Sequence, residues 1–415
     1  MDAGMSNKLI GACLFAQSGG PTSVINASAY GVIKTALDTP EIVNVYGAAH
    51  GITGILNDTI YDLGKEDARE LELLMNTPSS ALGSCRYKIK DVGELDRILE
   101  VFKKYDIRYF FYNGGNDSMD TCLQVSGFME SRGYECRVIG VPKTIDNDLL
   151  GTDHCPGFGS AAKYIATAVA EVYKDSIVYD TGTITVVEIM GRHAGWLTGA
   201  SALAGVCGAP PDLIFMPEIP FNMENFLHSV ETIYKEKNHC LVAVSEGIHY
   251  SNGRYVSEAE TSATDGFGHE QLGGLAETLA HLIKRKTGAK VRGIELSLLQ
   301  RCSAHLASQT DIDEAFIAGK SAVQCALSGE TGKMVAFTRE DHNGSYRCGV
   351  TFLPFSECAN AEKKVPREWI TEDGTNVTQE FIDYALPLIQ GENKRVIENG
   401  LPRFANLRKI QAEVK

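Results

Sequence analysis

The feature that most constrains this 415-residue chain is a regular alternation of short β-rich apolar runs with longer stretches of helical periodicity. KLIGACLFA leads into SVINASAYGVIKTAL, IVNVYGAA follows, IRYFFYNGG leads into SMDTCLQVSGFMESRG, and CRVIGVPKT comes next. GTITVVEIMG, AGWLTGASALAG and CLVAVSEG continue the pattern. Such alternation predicts an α/β fold of parallel strands joined by crossover helices. In sheets of that kind ligands collect at the carboxyl ends of the strands, where most of the informative polar residues of this chain fall. The length suits about two or three domains of ~100–200 residues each. The richest cluster of turn residues, TDHCPGFGS at Thr152 to Ser160, divides residues 1–158 from 159–299. Residues 300–415 read as helices, a β-rich piece KMVAFTRE and a Pro-flanked tail packing on both, with part of 300–360 completing the first domain.

Charge and cysteine usage narrow the function classes. Lys and Arg number 39 against 53 Asp and Glu, a net charge of −14, with no basic stripe interleaved with aromatics. That argues against nucleic acid and anionic membrane as partners. The eleven cysteines are odd in number, scattered and never spaced as Cys-x-x-Cys, which favours reduced thiols in a cytoplasm over a disulfide frame or zinc site. LIGACLFA is short for a signal-peptide core and runs straight into QSGGPTSVINA, which needs it as a strand. The expectation is a cytoplasmic protein without a membrane span.

Three strand-to-helix loops carry the candidate chemistry. In QSGGPTSVINA, Ser18, Gly19 and Gly20 precede a helix containing Asn26, an arrangement that suits an anion and equally suits a tight structural turn. It lacks both the G-x-G-x-x-G and the G-K-[ST] signatures. The second Gly pair, Gly114 and Gly115, is followed by Asn116, Asp117 and Ser118, so an acid stands where an anion is expected. Taken alone, Asp117 reads as an N-cap or first-turn acid. GVPKTIDND is more specific: Lys143, Asp146 and Asp148 bring one ammonium and two carboxylates to one sheet edge. Phosphoryl transfer needs a group to take a hydroxyl proton, a metal ligand and a cation for the moving charge. An Asx-turn with a surface lysine is the bland alternative. Arg192 and His193 in EIMGRHAGW, Glu246 in SEGIH, and Arg292 and Arg301 in VRGIELSLLQRC add strand-end groups able to hold phosphate or sugar.

Taken in order, QSGGPTSVINA, GSCRYK, GGNDS, PKTIDND, MGRHAG, SEG and LLQR resemble the phosphofructokinases from about residue 8 to 310, and within that family the pyrophosphate-using members. The resemblance implies two similar Rossmann-like three-layer domains with the active site between them, residues 1–158 binding the phosphate donor and 159–299 the sugar phosphate. ATP-using members have a second glycine where Asp117 stands. Two unit charges ~4 Å apart repel by roughly 4 kcal/mol at an effective dielectric of about 20, so Asp117 is expected to exclude ATP by charge as well as bulk.

Residue by residue, the resemblance puts Gly20, Gly115, Asp117, Ser118, Arg86 and Lys143 on pyrophosphate and makes Asp146 the base for the fructose C1 hydroxyl. Arg192 stabilises the transition state. Thr144, Ile145, Asp148, Met190, Gly191 and Glu246 line the sugar. Arg301 grips the 6-phosphate, and Arg292 is supplied across a subunit interface of a homodimer or homotetramer with shared sites. Magnesium is the implied cofactor; because Asn116 stands where an aspartate is usual, its ligands are the Asn116 carbonyl, Asp148 or mainly the pyrophosphate itself. Leu298 and Thr183 replace phosphate-side residues common in relatives, and His305, Lys363, Lys364 or Arg367 are candidates to compensate. An ATP-dependent enzyme, a kinase acting also on sedoheptulose 7-phosphate, and a noncatalytic sugar-phosphate-binding subunit are the competing readings.

Overall fold

The computed structural model describes residues 9–178, 180–257, 274–342 and 345–414. Strands β1 (Gly11–Gln17), β2 (Ile42–Ala48), β3 (Ile60–Asp62), β4 (Ile107–Gly114) and β5 (Arg137–Pro142) begin a first sheet. A second sheet follows in β6 (Thr183–Ile189), β7 (Leu213–Phe215), β8 (His239–Ser245) and β9 (Val291–Glu295). The chain then adds β10 (Lys333–His342) and β11 (Ser345–Pro354) to the first. The seven-stranded sheet runs β11-β10-β5-β4-β1-β2-β3, and the four-stranded one β7-β8-β6-β9. The interior pairs are parallel, while β3 and β11 are antiparallel edges. The piece KMVAFTRE joins the first sheet through Lys333 opposite Ile139 and Met334 opposite Gly140.

The period of two explains how the first sheet feeds two cores. In β1, Ala12, Leu14 and Ala16 enter one apolar cluster with Phe102 and Phe110, while Cys13 and Phe15 enter another with Val32 and Ala322. β4 divides its aromatics the same way, Phe110 and Tyr112 to one face and Tyr109 and Phe111 to the other. Strands apolar on both faces require a helical layer on each side. The longer helices supply them: α1 (Ile25–Leu37), α2 (Val92–Lys104), α3 (Asn116–Ser131), α4 (Phe158–Ser176), α5 (Met223–Lys237), α6 (Leu275–Thr287) and α7 (Gln309–Leu327). Asp91 caps α2 by accepting from Glu94 N, and Ser308 caps α7 by accepting from Asp311 N. Asp311, buried, in turn accepts from the N–H groups of Gly157 and Ser160 at the start of α4. Helices α1 and α7 cross closely because a Cβ on Gly319 would lie 2.0 Å from Ser28 O. The stretch AGWLTGASALAG forms two short pieces, an α-helix at Trp196–Ala200 and a 3-10 turn at Ser201–Cys207.

A buried polar cluster ties α7 and the hairpin β10–β11 to the loop after β5. His154 spans two carboxylates, its Nδ1 2.8 Å from Asp153 Oδ2 and its Nε2 2.7 Å from Glu314 Oε2. Arg339 forks onto Asp153 at 3.1 and 3.0 Å, and Tyr346 donates to Glu314 at 2.7 Å. The Cys348 sulfur lies within 4.8 Å of the His154 and Glu314 donor atoms, but both ring nitrogens are already spent on carboxylates. All eleven cysteines are free thiols.

The C-terminal extension reaches both sheets. Residues 358–363 cross the mouth of the β5 loop, where Lys363 N donates to Asp148 O at 2.7 Å. The last residues return to the first sheet's edge: Asp62 N donates to Ile410 O and Ala412 N to Ile60 O, each at 2.8 Å. Among the described residues no helix is long and apolar enough to cross a membrane.

Candidate active site

In the first sheet the chain passes from β1 to β2 on one side and later to β4 on the other. The crevice at the carboxyl ends of β1 and β4 is therefore a topological switch point, the usual seat of a ligand. Both glycine loops open into it. Gly19 has φ +76°, a conformation glycine adopts without strain. The carbonyl of Gly20 accepts from Lys143 Nζ at 2.7 Å. A Cβ on Gly20 would stand 3.2 Å from Arg301 Nη1 and 3.8 Å from Arg86 Nη2, so the bare backbone lets two guanidinium groups approach. Burial pulls the Lys143 ammonium down to about 8, Arg86 and Arg301 pushing the same way and Asp146 and Asp148 opposing. Burial also lowers Arg301, with Arg86 adding to it. Three cations converging on one glycine loop make a preformed anion site.

Across from that loop, α3 begins at Asn116 with Gly115 as its N-cap and Asp117 in its first turn. Asp117 is not an unpaired acid: Lys88 Nζ lies 3.1 Å from its Oδ1. The charge-based part of its expected exclusion of ATP is therefore smaller than the sequence implied, because the neighbouring ammonium offsets it. Bulk at the first turn of α3 remains.

After β5 the chain turns through Asn147, which has φ +56° and is fully buried. Its side chain donates to Tyr384 Oη at 2.8 Å and accepts from Cys155 N at 2.9 Å. This anchor presents Asp146 and Asp148 to the crevice. Burial raises the Asp146 carboxyl, while Lys143, Arg192 and His193 oppose the shift. Asp148 is pushed up to about 7 by burial, by Asp146 and by Glu362. In the amide orientation that satisfies both its ends, Asn116 donates to Ala361 O at 3.0 Å and Cys358 O at 3.3 Å. The side-chain atom 3.4 Å from Asp148 Oδ2 is then its oxygen. Two hard oxygens 3.4 Å apart on half-buried side chains of the cavity wall are of the kind that suits a magnesium ion.

The second sheet supplies the opposite wall from the ends of β6 and β8. Gly191, at φ +132°, donates its N–H to Glu246 Oε1 at 3.3 Å, and Met190 N donates to Gln300 Oε1 at 3.0 Å. Burial pushes Glu246 up to about 7. His193 Nδ1 meets Glu362 Oε1 at 2.8 Å.

One cavity of about 570 Å³ takes in both walls. From the first sheet it is lined by Gly20, Arg86, Gly115, Asn116, Asp117 and Ser118. The β5 loop contributes Lys143, Thr144, Ile145, Asp146 and Asp148, and the second sheet Met190, Arg192, Glu246 and Arg301. Gly191 takes part through its bond to Glu246. Arg292 does not line this cavity: it borders a separate one and pairs with Asp175 at 3.2 Å. Two of the suggested tail compensators, Lys363 and Arg367, are occupied elsewhere. Lys363 Nζ donates to the carbonyls of Thr152 and Asp153, and Arg367 to those of Ile370, Thr371 and Glu372. Sequence reasoning missed Asn360 and Glu362, which line the cavity, along with Gln300 and Lys88, which support it. Glu362 arrives from an extension with no motif around it. Lys88 was detectable, since it stands two residues beyond Arg86 in GSCRYK.

Comparison with known proteins bears on the fold and the family. The phosphofructokinase family, described as "Phosphofructokinase", matches residues 12–326. A pyrophosphate–fructose 6-phosphate 1-phosphotransferase of Halomonas elongata is 46% identical over 409 residues, 97% of each chain. A crystal structure of a pyrophosphate-dependent phosphofructokinase from Marinobacter aquaeolei is 43% identical, with a TM-score of 0.89 over 98% of both chains. That from Nitrosospira multiformis is 40% identical, with a TM-score of 0.90 over 98% of both chains. Two α/β sheets facing one cleft are thus the shared architecture, and with three quarters of its length matched the chain belongs to the phosphofructokinase family.

Proposed function

We propose that this chain transfers a phosphoryl group reversibly between pyrophosphate and fructose 6-phosphate, giving fructose 1,6-bisphosphate and phosphate. The observation that carries the donor assignment is Asp117, standing in the first turn of α3 at the donor end of the cleft. Relatives alike over nearly the whole chain and named for this reaction support it.

In this reading Asp146 takes the proton of the fructose C1 hydroxyl as its oxygen attacks the phosphoryl group. The raised pKa of its buried carboxyl makes Asp146 a better base than an ordinary aspartate near 3.9. Lys143 and Arg192 balance charge on the phosphoryl group in flight. Gly20, Arg86, Gly115 and Ser118 hold the diphosphate. Thr144, Ile145, Met190, Gly191 and Glu246 orient the sugar, and Arg301 takes its 6-phosphate. Asp148 and the Asn116 oxygen would hold magnesium, which when bound neutralises diphosphate charge. Arg292, directed away from its own chain's cleft, would reach the site of a second copy, making the active form at least a homodimer in the cytoplasm.

The test is fructose 1,6-bisphosphate formation with pyrophosphate and ATP compared as donors on one preparation. Turnover with pyrophosphate and little with ATP is the expected result. Turnover with ATP alone would overturn the donor assignment.

A further inference from the structure

The segment that carries Arg86 has a second cation, Lys88, which stands beside the cleft without lining it and which the proposed chemistry does not use. Residues Cys85, Tyr87 and Ile89 pack against the first core. That alternation turns Arg86 and Lys88 to the opposite side, about 7 Å apart along an extended chain. The segment is held firmly. Gly19 N donates to Cys85 O at 2.9 Å, Ser84 Oγ to Gly19 O at 2.6 Å, and Lys90 N to Glu94 Oε2 at 2.8 Å. Tyr87 Oη also bonds Glu94. Arg86 therefore reaches the Gly20 loop while Lys88 reaches Asp117 at 3.1 Å. The Lys88–Asp117 pair links this strip to the first turn of α3 across the outer end of the donor site, Asp117 being 25% exposed and Lys88 57%.

We propose that Lys88 sets the length of the phosphate donor: its bridge to Asp117 closes the site beyond the second phosphate, admitting a diphosphate and turning away tripolyphosphate. The inference rests on the pyrophosphate reading above. Lys88 works in two ways. Its charge offsets Asp117, so the acid blocks the channel without repelling pyrophosphate, and its stem holds the Asp117 carboxylate across the exit. Lys88 is a specificity-determining residue acting through Asp117.

The experiment measures kcat and KM for pyrophosphate and for linear tripolyphosphate in the parent protein, Lys88→Ala, Lys88→Arg, Asp117→Gly and the double variant. Calorimetric binding of the same two anions supplies a readout independent of turnover. In Lys88→Ala the Asp117 carboxylate is no longer held across the exit, so the preference for pyrophosphate over tripolyphosphate should fall about fivefold, the measure of one partly exposed ion pair, through a lower KM for tripolyphosphate. Lys88→Arg should restore it. In the Asp117→Gly background the sign should reverse: Lys88 is then an unpaired cation that attracts a third phosphate, and its removal lowers tripolyphosphate use. A parent protein that turns over with ATP alone would overturn both readings. Pyrophosphate turnover with an unchanged preference in Lys88→Ala, or no reversal in the double variant, would overturn the role of Lys88 only.

Discussion

Lys143 is buried beside two arginines and two aspartates, and on the proposed reading its titration sets an upper limit on the working pH. Its ammonium is held down at about 8, so it loses its proton, and its hold on the moving phosphoryl charge, as pH rises through that value. Asp146 moves the other way: burial raises it, so it takes up a proton while an ordinary aspartate would still be ionised, and the base is lost as pH falls through that raised value. The expected kcat/KM profile with pyrophosphate is a bell whose alkaline limb lies near about 8 and whose acid limb lies above the usual aspartate range. Lys143→Arg should remove the alkaline limb and keep the acid one, and an unmoved alkaline limb would assign it elsewhere. Asp117→Gly should raise ATP use at least about tenfold relative to pyrophosphate, since it removes both bulk and charge. Residues such as Lys143, Asp146 and Arg192 were legible because strand-end loops keep neighbours in sequence together at the cleft. Glu362 was not, since its approach to His193 depends on the path of an extension that begins long after the motifs end.

At the scale of the element, the cluster around His154 decides whether α7 and the β10–β11 hairpin stay attached to the β5 loop. Burial alone would raise Asp153, yet hydrogen bonds from His154 and Arg339 bring it down to about 2. Its contribution to stability is present above the unfolded aspartate value near 3.9 and is lost as pH falls through about 2. For His154, burial favours the neutral ring, but Asp153 and Glu314 outweigh it and raise the pKa. That contribution is complete below the unfolded value near 6.5 and is lost as pH rises through the folded one. His154→Ala should cost about 3–5 kcal/mol in denaturant unfolding, because it leaves two carboxylates buried without their shared partner. A loss below about 1 kcal/mol would mean that Arg339 alone satisfies the cluster. The strands were readable from their apolar runs, and the helices from period and caps. AGWLTGASALAG is helical as its pattern suggests, but its division into an α and a 3-10 piece was not legible, and the need for Gly199 lies in a tertiary contact invisible to local periodicity: a Cβ there would lie 2.7 Å from Phe381 Cζ.

For the whole molecule, Arg292 supplies the sharpest test of assembly. If it serves a neighbour's site, inactive Asp146→Asn and inactive Arg292→Ala subunits should complement when co-expressed. A random dimer population would regain about one quarter of the parent activity, one good site in each mixed pair. No recovery would return Arg292 to a structural role beside Asp175. The α/β architecture was legible as alternation, and its division into two domains came from the family resemblance; the path by which residues 333–354 come to lie beside β5 is set by contacts that the strand's own residues do not spell out. That path also orders events in time. Strands β6 to β9 come from one continuous stretch and can form while the rest is still being synthesised. The sheet that starts at Gly11 must wait for β10, β11 and residues 410–412 before its edges are filled. Emergence from the ribosome thus begins with the sheet that is finished last, and the slowest refolding phase should be the closing of that sheet around its late strands.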